Sequence, residues 1–116
     1  MNIVTVKKDK VVIAQKVEFA DTFFKRLLGL MFSKNLGNKD GLLFYPSNSI
    51  HTFFMNYPID VIFLNNKNEV VKVIPSMKPW RITRIYFGAC KVIELMGGSL
   101  KEEIKTGDKL EILCLS

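Results

Sequence analysis

The residues best suited to chemistry are concentrated in one stretch, Ser49-Ile50-His51-Thr52-Phe53-Phe54-Met55-Asn56-Tyr57-Pro58-Ile59-Asp60, which holds the chain's one histidine. An imidazole can move a proton or hold a polar ligand, so His51 is the first candidate for a functional group. Read as a strand, the segment places Ser49, His51, Phe53 and Met55 on one face and Ile50, Thr52 and Phe54 on the other. His51 then shares its face with large apolar side chains, either as a structural histidine or as the floor of a half-apolar pocket. Asp60 opens the most apolar run of the chain. A carboxylate there needs partners, because burying an unpaired charge is costly. It can cap the Asn56-Tyr57-Pro58 turn through backbone N–H groups, or pair with His51 or an arginine. A tight hairpin at Tyr57 sets Phe54 rather than His51 opposite Asp60, so a direct dyad requires a wider turn.

Two other positions join these. Glu94 shares a strand face with Cys90 and Val92, and Arg26, Arg81 and Arg84 are its candidate partners, since a guanidinium fork suits a carboxylate. Trp80-Arg81, directly after Pro79, forms a recognition corner in which a flat apolar face adjoins a charge; the alternative is a tryptophan plugging the end of the core. Other chemistries are disfavoured. No nucleophile elbow, phosphate loop or dinucleotide fingerprint occurs. Ser49 and His51 stand side by side on one strand, a poor start for a serine triad with Asp60. One histidine and two cysteines, Cys90 and Cys114, fall short of a metal site. The cysteines read as two buried thiols, with a disulfide requiring that their strands be neighbours. No cofactor is expected.

The elements that must position these groups are mostly strands. Residues 2–7 and 11–19 read as a hairpin turning at Lys8-Asp9-Lys10. From Asp21 to Ser33 the period changes: Phe23, Phe24, Leu27, Leu28, Leu30 and Met31 fill one arc of a helix capped by Asp21 or Thr22. A turn-rich loop leads to strands near 42–45, 49–55, 59–64, 69–74, 88–95 and 109–115. Ser99 and Glu102 have capping-box spacing, which predicts a helical turn at 99–104. The pattern predicts a mainly β domain: a small jelly-roll-like sandwich or partly open barrel of about eight short strands, with one helix (about 21–33) packed across it.

Composition agrees with one folded unit over residues 1–116. Hydrophobic residues make up 48% of the 116, enough for a core. No run of about 18 apolar residues is present, and the start of the chain, with Lys7-Lys8 closing a short apolar run, does not read as a signal peptide. The expected location is therefore cytoplasmic. The net charge of +6 comes from dispersed lysines, without a basic block or RNA-binding motif.

Several ordered pieces carry a specific resemblance. They are Arg26 with Gly29-Leu30-Met31-Phe32, Gly41-Leu42-Leu43-Phe44, Ser49-Ile50-His51-Thr52-Phe53-Phe54-Met55 and Pro58-Ile59-Asp60-Val61-Ile62-Phe63-Leu64. Lys78-Pro79-Trp80-Arg81, Ala89 with Val92-Ile93-Glu94-Leu95, and Gly107-Asp108 follow. The chain resembles the uncharacterised prokaryotic family catalogued as domain of unknown function 192. The resemblance implies a compact β-rich fold with a helix across it, and no established activity, substrate or cofactor. Its signature includes Arg26, His51, Asp60, Trp80 and Glu94. Relatives often carry Pro-Ala-Gly after Leu95; Met96-Gly97-Gly98 here predicts a looser loop.

The leading expectation is a small-ligand-binding β domain with a polar and aromatic cleft formed by Arg26, His51, Met55, Asp60, Trp80 and Glu94. Its ligand would be small and polar, a saccharide being the favoured class. One alternative is a hydrolase- or lyase-type enzyme in which His51 works with Asp60 or Glu94. Another is nucleic-acid or protein docking through the basic surface. A monomer without nucleic-acid or membrane partners is expected.

Overall fold

In the computed structural model, residues 3–20, 40–53, 55–100 and 103–114 are described. Seven strands follow in chain order: β1 (Ile3–Lys8), β2 (Val11–Ala20), β3 (Gly41–Phe44), β4 (Ile59–Leu64), β5 (Val70–Met77), β6 (Lys91–Met96) and β7 (Glu111–Cys114). They form one sheet in the order β5-β4-β6-β3-β2-β1-β7. All neighbours are antiparallel except β2 and β3, which pair in parallel.

The expected mainly β class holds, and the finer expectation is corrected. Among the described residues, seven strands rather than about eight lie in one sheet instead of a two-sheet sandwich, and that sheet is not closed into a barrel. Its two edges approach at one end only. There Leu110 N–H donates to Asn68 C=O, Val70 N–H to Asp108 C=O and Gly107 N–H to Val70 C=O, beside a single bridge between Glu69 and Lys109. The expected helix at 21–33, with Arg26, lies outside the described residues. The turn expected at 99–104 falls partly outside them.

The sequence explains the middle of the sheet. β4 is buried at all six positions, as its unbroken apolar run requires. Alternation then divides the core in two. Leu42, Phe44, Val61, Phe63 and Val92 pack on one face. Leu43, Ile62, Leu64, Ile93 and Leu95 pack on the other, with Val6 and Val17. Each fully buried side chain of this kind contributes about 1.5–3 kcal/mol. Gly41 is required where β3 meets β6: a Cβ there would strike the Leu95 side chain and stand 2.5 Å from the Glu94 carbonyl oxygen. The β1–β2 turn falls at Asp9, in the left-handed region at φ 55°, which Asp tolerates through local bonding.

The expected strand at 49–55 does not form. Residues 47–53 instead run beside residues 81–90 as an irregular antiparallel ribbon. It is joined by Ser47 N–H to Cys90 C=O, Thr52 N–H to Arg81 C=O, Thr83 N–H to Ile50 C=O and Tyr86 N–H to Asn48 C=O, each 2.8–2.9 Å. His51 and Ile82 form its one bridge. Ile50 and Tyr86 pack inward on the Val61–Phe63 face, so the ribbon lies over that face of the sheet.

Candidate functional site

Asp60 shows first how the expected constellation is distributed. It is 1% exposed and, among the described residues, its carboxylate bonds to backbone alone. Oδ1 accepts from Ser76 N–H at 2.8 Å and Gly98 N–H at 3.3 Å, and Oδ2 accepts from Leu100 N–H at 3.1 Å. Three charge-assisted bonds satisfy a buried carboxylate without a cation. Asp60 thus caps the bend at Ser76 and the loop after β6, not the Asn56-Tyr57-Pro58 turn. Met96-Gly97-Gly98 is correspondingly anchored rather than loose. Gly97 N–H also donates to Pro58 C=O at 3.0 Å, and Gly98 has the positive φ of 83° that glycine allows.

Glu94 stands on the opposite face. In the β4–β6 ladder Asp60 faces Leu95 and Val61 faces Glu94, so the sheet itself separates the two acids. Glu94 is buried beside Tyr57 on the Val61–Phe63 side, and no hydrogen bond or ion pair joins it to a described residue. Burial pushes its carboxyl up to about 8, so it is protonated at neutral pH. Burial, with the Glu94 charge second, also raises the Tyr57 phenol, whose hydroxyl is buried without a hydrogen-bond partner among the described residues. Of the arginines expected beside Glu94, Arg26 lies outside the described residues and the other two are elsewhere. Arg81 reaches the Pro79 and Trp80 carbonyls, and Arg84 lies over the Tyr86 ring at 5.5 Å.

His51 is exposed on the outer side of the ribbon. Its ring stacks on Phe53, with centroids 4.9 Å apart and planes at 24°, and Phe53 meets Trp80 at 6.1 Å and 37°. These three rings form a continuous aromatic ledge. Thr52 holds it in place. Fully buried, Thr52 donates through Oγ1 to Lys78 C=O at 2.7 Å and accepts from Arg81 N–H at 2.9 Å. Its carbonyl accepts from Trp80 N–H at 2.8 Å. Trp80 is thereby kept at φ 62° and 56% exposed. A bulky residue in the left-handed region costs on the order of 1–3 kcal/mol and persists only where its surroundings over-determine it.

The structure therefore brings His51 and Trp80 together through Phe53 and leaves Asp60 and Glu94 apart from them. The shared cleft is not formed among the described residues. Met55, expected on the face of His51, is buried in the core, because a turn closed by Met55 N–H to Thr52 C=O at 3.2 Å breaks the alternation. Cys90 and Cys114 are free thiols, Cys90 half-buried and Cys114 exposed, where both were expected buried. Sequence reasoning missed Phe53 as the link between rings and Thr52 as the hub. It also missed a surface strip in which Trp80, Ile82, Ile85 and Phe87 are all exposed. The signal for that strip was present: residues 70–93 contain five lysines and arginines and no acid.

The fold and ledge define a β-rich domain whose distinctive feature is a rigid aromatic surface. The comparisons with known proteins place it: the family model DUF192, described as "Uncharacterized ACR, COG1430", matches residues 3–112, and the chain belongs to that family. A UPF0127 protein of Pyrococcus horikoshii is 44% identical over 104 residues, covering 83% of this chain and 86% of the relative. One from Thermococcus sibiricus is 39% identical over 102 residues, with 83% of this chain but only 65% of that relative covered. A crystal structure of a protein of unknown function from Novosphingobium aromaticivorans superposes with a TM-score of 0.76 at 26% identity, covering 94% of this chain and 83% of that one. A structure from Sinorhizobium meliloti, described as a candidate transcription regulator, gives 0.75 at 21% identity over 96% and 92%. That likeness speaks for the fold alone.

Proposed function

We propose that the protein is a binding domain whose ligand lies flat on the His51–Phe53–Trp80 ledge, and that the ligand class is saccharide. The observation that carries this reading is Trp80, held more than half exposed in a strained backbone conformation by the bonds of a buried threonine. Strain held in place by a dedicated network marks positions under functional demand. Aromatic faces suit the C–H faces of sugar rings, and the Arg81 guanidinium at the rim can donate to hydroxyls.

An acid–base role for His51 has less support. Asp60 gives its oxygens to backbone N–H groups across the sheet, Glu94 is buried beneath the ribbon, and His51 Nδ1 accepts the Phe53 N–H at 3.3 Å.

Trp80 is the chain's one tryptophan, so its emission reports on the ledge directly. Titration with a saccharide panel is expected to give a saturable emission change with amide shifts confined to 50–53 and 78–82. A panel that leaves both signals unmoved refutes the reading.

A further inference from the structure

Three features lie outside the ledge's chemistry: the buried Glu94–Tyr57 pair, an open hollow beside β2 near Val12 and Ser99, and the exposed apolar edge at 82–87, which adjoins the ledge. The first is closed to solvent and the second has no buried polar side chain in its lining. The edge supports an argument.

Phe87 is 86% exposed at the tip of the turn closed by Ala89 N–H to Tyr86 C=O at 2.8 Å. Such tips normally take small or polar residues. Ile82 and Ile85 are 70% and 47% exposed along the same segment. They are not frayed outward. Thr83 and Tyr86 donate to Ile50 and Asn48 carbonyls, and Tyr86 is packed against Phe63 with ring centroids 4.6 Å apart. The fold presents Ile82, Ile85 and Phe87 to solvent on a fixed support.

The charges carried by the segment itself are of one sign. Lys78, Arg81 and Arg84 are exposed, and neither strand of the ribbon contains an acid: residues 41–59 and 70–93 have no Asp or Glu, although the chain has 11. We infer that this edge is a peripheral docking surface for an anionic lipid bilayer, with Phe87, Ile82 and Ile85 entering the interfacial layer and Lys78, Arg81 and Arg84 meeting the headgroups.

The chemistry selects this occupant over others. A bilayer supplies an anionic plane and an apolar layer a few ångströms beneath it, matching apolar tips flanked by cations. A second copy of the chain would set this cationic edge against itself, which is repulsive. Single-stranded nucleic acid gains from aromatic faces but little from exposed isoleucines. No helix among the described residues is long and apolar enough to cross a membrane; surface attachment requires none. Attachment of this kind departs from the expectation of no membrane partner.

The test is co-sedimentation with phosphatidylcholine vesicles, with and without phosphatidylglycerol, at low and high salt. Binding is expected only with the anionic lipid and is expected to weaken with salt. Phe87→Ser and Ile82→Ser should each lower partitioning about tenfold, in line with the apolar area withdrawn. Arg84→Gln should reduce both binding and its salt dependence. All three side chains are exposed, so unchanged thermal midpoints identify the loss as one of binding. Phe87→Ser should leave the saccharide-induced Trp80 emission change intact, which separates this surface from the ledge. Several results would overturn the inference: no sedimentation at low salt, equal sedimentation by Phe87→Ser, a concentration-dependent dimer abolished by Phe87→Ser, or retention on single-stranded RNA in place of vesicles.

Discussion

Asp60 and Glu94 are two buried acids on adjacent central strands, one register step apart, and they reach opposite solutions. Asp60 faces the Ile62–Leu95 side and meets three backbone N–H groups from a bend and a loop that turn toward it. Glu94 faces the Val61–Val92 side, meets apolar side chains and Tyr57, and remains neutral. A carboxylate in a sheet interior can stay charged where irregular backbone supplies donors, and it takes up a proton where only side chains surround it. The contrast also assigns roles. Asp60 organises the loop at 98–100, Glu94 is stored in the core, and neither tunes His51.

The largest expected loss from a substitution comes from removing the hydrogen-bonded member. Asp60→Ala strands three N–H groups and is expected to cost about 3–4 kcal/mol. Asp60→Asn, which keeps one acceptor oxygen, should cost about half of that. Chemical denaturation measures both, and a loss below about 1 kcal/mol for Asp60→Ala would break the comparison on that side.

The next effect is a pH dependence. The Glu94 carboxyl titrates near 8 in the fold and near 4.5 when unfolded, its ordinary value. Between those limits the native state holds a proton that the unfolded state has lost, so stability falls as pH rises from about 4.5 to about 8. The total is on the order of 5 kcal/mol. Glu94→Gln should remove this slope and exceed the wild type in stability at pH 8–9. A slope unchanged in Glu94→Gln would show that another group is responsible.

The smallest effect is at the partner. Tyr57→Phe deletes a buried hydroxyl that has no hydrogen-bond partner among the described residues, and it should be neutral to within about 0.5 kcal/mol or slightly stabilising. A clear loss in thermal midpoint would mean that the hydroxyl bonds to Glu94 in solution.

Much of this architecture was legible in the sequence because period-two patterning is local. The β1–β2 hairpin, the all-buried β4 and the approximate positions of β3, β5, β6 and β7 follow from alternation and turn residues. What was not legible depends on which segment lies against which. The alternation argument put His51 and Met55 on one face, but a turn at Thr52–Met55 intervenes, made by bonds that no strand pattern predicts. Asp60 was recognisable as a carboxylate in need of partners. That these would be N–H groups of Ser76, Gly98 and Leu100, up to 40 residues away, depends on the tertiary path. Trp80 was visible as a recognition corner, and its linkage to His51 runs through Phe53, a residue indistinguishable in the sequence from its core-forming neighbours.

The central claim is that binding belongs to the aromatic ledge and not to the acids. Calorimetric titration of a saccharide that shifts Trp80 emission, across wild type, Trp80→Ala and Glu94→Gln, tests it most directly. The account predicts equal affinity for wild type and Glu94→Gln, and at least about a tenfold loss for Trp80→Ala. Affinity that survives Trp80→Ala but collapses in Glu94→Gln would contradict it.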